Sequence, residues 1–192
     1  MQTKLSIFAS KLIEAGWLAA VVAVPLFFNI YTARTFEPDK LTLMRSIVTV
    51  MILAWLIKLL EEGWQSDDNT FGERVKRWLK QPMALPTVLI VLTYLVSTVL
   101  SLTPHVSFWG SYQRLQGTYT FISYVIIFAL MGTNMNTRRQ VDRFITTVII
   151  TSVPVALYGI IQHNGLDPLP WAGDVTKRVA SNMGNAIFVY RI

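Results

Sequence analysis

The chain has no cysteine, only two histidines and few charges. Without cysteine there can be no disulfide framework and no thiolate metal site. The absence carries no information about redox compartment. Charged residues make up 15% of the chain, against about 25% in an ordinary soluble domain. The familiar catalytic signatures are missing as well. There is no GxxxxGK[ST] loop, no HExxH and no GxSxG. Asp67, Asp68 and Asn69 resemble the start of a calcium loop, but the later glycine and glutamate are absent. They are read, like Glu61 and Glu62, as a solvated loop. No metal and no cofactor is expected. No internal repeat or low-complexity tract is visible.

What is present is apolar. Hydrophobic residues make up 53% of 192, which excludes a disordered chain. They come in long charge-free blocks, not at amphipathic spacing, which argues against a soluble domain. A membrane helix needs about 20 mostly apolar residues to cross about 30 Å of hydrocarbon. Windows between charges give spans at 15–33, 41–60, 83–102, 118–133 and 144–162, and the start of a sixth at 183–192. Arg45 and Lys58 sit near the ends of the second span, where both can snorkel. The first span is no cleaved signal peptide, because its apolar run is too long and Pro25–Phe28 offers no small-residue cleavage site. Pro25, Pro86 and Pro154 fall in or at the ends of spans, and Pro154 is placed to kink its helix. The expected fold is therefore all-α and polytopic, a single transmembrane domain with five complete helices and the start of a sixth.

The loops orient these spans. With the N-terminus inside, the inner side holds Lys4, Lys11, Lys58, Arg74, Lys76, Arg77, Lys80, Arg138, Arg139 and Arg143. The outer side holds Arg34, Lys40, Arg45, Arg114, Lys177 and Arg178. The excess favours a cytoplasmic N-terminus. Trp17, Trp64, Trp109 and Trp171 fall near the predicted interfaces, as belt aromatics do. The net charge of +6 is thus mostly a topology signal, and no contiguous basic face for nucleic acid is expected. The densest basic cluster, Arg74 to Lys80, lies among Phe71, Val75, Trp78 and Leu79 at helical spacing, after a Thr70–Glu73 capping box. It reads as an interfacial helix over 70–80 with its basic side toward anionic lipid; the alternative is a solvated linker.

Two outer segments carry the candidate chemistry. Ser107 to Gly117 combines Trp109, Tyr112 and Arg114 with Gly110 and Gly117. An arginine near a bilayer needs a partner, and its planar fork suits phosphate oxygens. The two glycines allow tight turning and close approach to a ligand. An interfacial turn with a snorkelling arginine accounts for the same residues. The second segment, His163 to Gly173, leads into Lys177, Arg178, Ser181, Asn182, Gly184 and Asn185. Two cations followed by hydrogen-bonding side chains suit an anionic, sugar-bearing headgroup. They also suit a helix N-terminus capped by Ser181 or Asn182, and the two readings agree because helix N-termini bind phosphate.

At these segments the chain resembles the N-terminal part of the O-antigen ligase and polymerase superfamily. The resemblance rests on Gly110-Ser-Tyr-Gln-Arg114-Leu-Gln-Gly117 after the third span. It rests also on Arg178-Val-Ala-Ser181-Asn-Met-Gly184-Asn185 entering a helix. The order of spans and loops fits across nearly the whole chain. The resemblance implies a metal-independent, GT-C-type membrane glycosyltransferase of the bacterial inner membrane. Such an enzyme transfers glycan from undecaprenyl diphosphate to lipid A core or another sugar on the periplasmic face. Carried over residue by residue, it implies that Arg114 and Arg178 contact the lipid diphosphate, with Lys177, Ser181 and Asn185 as secondary candidates. The expected partners are membrane lipid, the undecaprenyl-diphosphate-linked glycan and a lipid or sugar acceptor. Relatives are longer and carry their basic histidine in a later loop. The chain is therefore expected to be a truncated fragment without transferase activity, and His163, which precedes the second motif, is not assigned as a base. A transporter or channel fragment and a non-catalytic membrane subunit are the competing classes.

Overall fold

A computed structural model describes residues 3–29, 37–64, 80, 83–167, 174, 176–177 and 179–181. Among them there are six helices and no strand: α1 (Lys4–Leu26), α2 (Glu37–Trp64), α3 (Ala84–Val99), α4 (Pro104–Trp109), α5 (Thr118–Asn134) and α6 (Arg138–His163). The expected interfacial helix at 70–80 falls almost entirely outside the described residues. So does the sixth span at 183–192.

Helix ends follow local chemistry. Thr3 starts α1, its hydroxyl accepting from the Ser6 amide at 3.1 Å. The helix begins well before the 15–33 window because Lys4 and Lys11 lie on its exposed side. Charge on one face does not stop a helix. Its buried stripe is Ser6, Ala9, Ile13 and Trp17, at spacings of three and four. Pro25 falls in its last turn, where it removes one intrahelical donor and the helix ends one residue later. Pro86 falls in the first turn of α3, where its amide would have been unpaired in any case. α6 starts at a capping box in which Thr137 accepts from the Gln140 amide and Gln140 accepts from the Thr137 amide. It runs without interruption past Pro154 to His163.

On α5 and α6 burial is inverted relative to a soluble bundle. In α6 the buried residues are Thr151, Val155, Gly159 and Gln162. Ile149, Ile150, Val153, Leu157, Ile160 and Ile161 are exposed. In α5, Thr118, Thr120, Ser123 and Asn134 are buried with Leu130, whereas Tyr124 and Phe128 are exposed. On these two helices small and polar side chains face protein and large apolar ones face outward, which is what hydrocarbon solvent selects. The threonine hydroxyls of α3 bond back to carbonyls four residues earlier, Thr87 to Met83, Thr93 to Leu89 and Thr98 to Tyr94, at 2.7–2.8 Å. No water is needed to satisfy them.

Among the described residues three helical stretches, Lys4–Leu26, Glu37–Glu61 and Arg138–His163, are long and apolar enough to cross a membrane. The chain has the build of a helical membrane protein. α3 and α5 are shorter, at 16 and 17 residues. Residues Met1–Glu14 and Val48–Asn134 form one compact unit, and Ala15–Ile47 with Met135–Ile192 form a second.

Candidate functional site

In the first unit, the connection from α3 to α5 is a closed and heavily bonded loop. After α3 the chain turns at Leu100–Thr103 and enters α4. Ser107 Oγ donates to Ser101 Oγ at 2.6 Å. Gly110, at φ +90°, ends α4, and its amide donates to the Val106 carbonyl at 2.8 Å. The amides of Arg114 and Leu115 both donate to the Ser111 carbonyl, at 3.1 and 2.8 Å. Leu115 has φ +52°, a conformation that non-glycine residues seldom adopt.

The two glycines approach each other's backbone. A methyl group at Gly110 would collide with the Leu115 backbone, and one at Gly117 with Gly110 N and Phe108 O. The sequence pointed to a close approach to a ligand here; the approach is to the chain itself. Threonines then tie the loop down. Thr118 Oγ1 divides its one proton between the Ser107 carbonyl at 3.2 Å and Thr98 Oγ1. Thr120 Oγ1 donates to the Leu115 carbonyl at 2.6 Å.

Aromatic rings brace this end. Phe108, Trp109 and Tyr119 form a cluster with centroids 5.2–6.1 Å apart. Tyr94 of α3 stacks on Phe121 of α5 at 3.7 Å. The result is a rigid platform with Tyr112 and Arg114 exposed on its turn.

The second unit holds the other candidate segment. The chain after α6 is fastened to the last turns of that helix by buried polar groups. Gln162 is fully buried. Its Oε1 accepts from the Ser181 amide at 2.6 Å, and its Nε2 donates to Asp167 Oδ2 at 3.0 Å. Tyr158 Oη donates to the same carboxylate oxygen at 2.9 Å. Ser181, at φ +48°, is also fully buried, and its hydroxyl donates to the Val155 carbonyl at 2.7 Å. Gly159 permits the contact: a methyl group there would meet Val179 Cγ1 at 3.1 Å. His163 Nδ1 donates to the Thr176 carbonyl at 2.8 Å, which gives this histidine a structural role.

The exposed tip of the segment carries Asp174, Thr176 and Lys177. The Thr176 hydroxyl, donating to Asp174, holds that carboxyl below the usual carboxylate range against the effect of desolvation. The Thr176 and Lys177 amides and the Lys177 charge add to the effect. Lys177 Nζ lies 3.6 Å from Asp174.

Of the sequence candidates, Arg114 is exposed on the first platform and Lys177 on the second segment. Ser181 has its amide and hydroxyl turned into α6. Arg178 and Asn185 lie outside the described residues, as does Asn182. Lys40 and Arg45, read from the sequence as outer-side cations with Arg45 snorkelling, are both buried, and Asn29 and Gln162 went unread. Lys40 is buried and donates to the Pro25 carbonyl at 3.2 Å, so a cation meets the C-terminal turn of α1. Asn29 Nδ2 donates to Asp39 at 3.0 Å in the same corner, and Arg45 is also buried. Two cations five residues apart at the start of an apolar window were the available signal. Gln162 had a signal too, as an uncharged polar residue at the end of a long apolar helix.

No protein-family model, curated protein or solved structure matches the chain.

Proposed function

We propose that the chain forms the N-terminal part of the membrane domain of a glycosyltransferase like the O-antigen ligases and polymerases, with GT-C architecture. It sits in the bacterial inner membrane with its N-terminus in the cytoplasm. Five helices cross. α3 and α5, at about 24–26 Å, are a few ångströms shorter than the hydrocarbon core, a mismatch that local thinning and flanking residues accommodate. Arg114 in the first unit contacts the diphosphate of an undecaprenyl-linked glycan on the periplasmic side, and, taken separately, so do Arg178, Lys177 and Asn185 in the second. Charge developing on the departing diphosphate is stabilised by these cations. Ser181 serves by holding its segment on α6.

The observation that carries this reading is the platform at 107–119. A guanidinium is exposed on a loop whose backbone is locked by two glycines and braced by three rings. A locked backbone removes the loop's share of the ordering cost when the arginine meets a phosphate.

Binding is the direct test. The purified chain in lipid nanodiscs is titrated with undecaprenyl diphosphate. Arg114→Ala is expected to weaken binding by about tenfold to a hundredfold, the effect of a charge-assisted hydrogen bond, with Arg114→Lys between. Equal affinity in the wild type and Arg114→Ala sinks the assignment.

A further inference from the structure

We propose that the turn at 100–103 and α4 form a foot that inserts into one leaflet, between the headgroups and the upper acyl chains, at the C-terminal end of α3. Among the described residues, the four most exposed large apolar side chains all lie at this end of the first unit. They are Leu102 at 102%, Leu100 at 78%, Val99 at 75% and Tyr112 at 73%. Val106 and Trp109 of α4 are exposed beside them in sequence. Apolar surface this open marks a place of contact.

The surface it continues identifies the partner as lipid. On α3, the exposed residues Leu85, Leu89, Leu92, Val96 and Val99 recur at intervals of four and three, which makes one stripe along the helix. The intervals continue through Leu102 to Val106 and Trp109, the last two on one side of α4. No residue in this series is smaller than valine. Helices that pack on one another in a membrane present glycine, alanine, serine or threonine at the contact. Length points the same way. α3 has 16 residues, about 24 Å of rise, against about 30 Å of hydrocarbon. Leu100 and Leu102 are the next apolar side chains in line to cover the difference.

Polar groups set the depth. The Leu100 amide donates to the Val96 carbonyl at 2.9 Å and the Ser101 amide to the Thr98 carbonyl at 3.4 Å. The Thr103 amide donates to Ser101 Oγ at 3.2 Å, and Pro104 has no amide to satisfy. A turn bonded within itself to this extent can leave bulk water. The Leu102 amide has no acceptor among the described residues, and the His105 ring is exposed. Both need headgroups or interfacial water, which holds the foot short of the bilayer centre. This inference rests on α3 and α5 crossing the bilayer and not on the glycosyltransferase reading.

Spin labels measure the depth. The chain has no cysteine, so Leu92→Cys, Leu102→Cys, Val106→Cys and Gln113→Cys each carry one nitroxide. All four side chains are exposed, and the exchange leaves buried packing alone. The full chain is reconstituted in phosphatidylcholine vesicles. Relaxation of each label by oxygen, which concentrates in lipid, is compared with relaxation by a water-soluble nickel chelate. The oxygen-to-nickel ratio is expected to be highest at 92 and lowest at 113, with 102 and 106 severalfold above 113. Ratios at 102 and 106 equal to that at 113 put the foot in water and overturn the proposal. Shielding of both positions from both reagents also overturns it, by assigning the surface to a protein partner or a second copy of the chain. A high ratio at 92 with low ratios at 102 and 106 removes the foot alone. A low ratio at 92 removes the crossing of α3, and the foot falls with it. The diphosphate-binding test at Arg114 reads neither quantity.

Discussion

Gly117→Ala puts a methyl group against backbone atoms on two sides. The new carbon would stand well under 3.0 Å from Gly110 N and Phe108 O. Neither is the end of a flexible side chain, so the loop itself has to open by about an ångström. Opening removes the bond from the Gly110 amide to Val106, 2.8 Å long, and that from Thr118 Oγ1 to Ser107, 3.2 Å long. Each contributes about 1 kcal/mol net. Displacing Phe108 and Trp109 from Tyr119 loses about 1 kcal/mol more. The sum, about 3 kcal/mol, is somewhat more than a hundredfold in a local opening equilibrium. Amide hydrogen exchange reads that quantity directly. Protection of the Gly110 and Leu115 amides should fall by about a hundredfold, with the α6 amides unchanged. Gly132→Ala is the control, because a methyl group there meets nothing within 4 Å. It should leave the loop's protection as it was. If Gly117→Ala keeps wild-type protection at Gly110 and Leu115, the loop is not held by the glycine contact and the locked backbone under Arg114 loses its physical basis.

Gln162→Leu keeps the size of a fully buried side chain and removes its amide. The Ser181 amide would be left buried without its acceptor, a loss of about 1–3 kcal/mol. Exchange at residues 179–181 should accelerate by about tenfold to a hundredfold, and unchanged exchange would show the segment is held by other contacts. The Asp174 turn should respond to acid. Its carboxyl is held below the ordinary value in the folded chain, so its stabilising contribution is complete above the unfolded value and is lost as pH falls through the folded one. The window therefore lies on the acid side of about 3.9. The Thr176 resonance, followed by NMR through that range, should shift in the wild type and stay flat in Asp174→Asn. A flat wild-type profile would mean that the Thr176 hydrogen bonds do not form in solution.

Much of the architecture is legible residue by residue. Long apolar blocks with few charges locate α2, α3, α5 and α6, because such runs have few stable places outside hydrocarbon. The start of α1 was not legible from charge-free windows. Lys4 and Lys11 interrupt the run, yet a helix tolerates charge on one face. The Thr137–Gln140 capping box was present in the sequence and went unread, since a Thr-x-x-Gln pattern is common in loops as well.

At the candidate site the division is sharper. Composition and spacing could nominate Arg114, Gly110 and Gly117, because arginine near lipid is costly and glycine in such a loop usually marks tight backbone. They could not say what the glycines approach. That depends on the path of the chain between α4 and α5, which brings Gly117 against Gly110 and Phe108. Ser181 looked like a ligand or a cap and became a fastening on α6, because Gln162 and Val155 lie 19 and 26 residues earlier in the chain. The sequence by itself determined a helical membrane protein, through the free energy of moving apolar surface out of water. Only the tertiary structure decided which polar groups are exposed and which face one another, because hydrogen bonds are directional and their partners are brought together by folding.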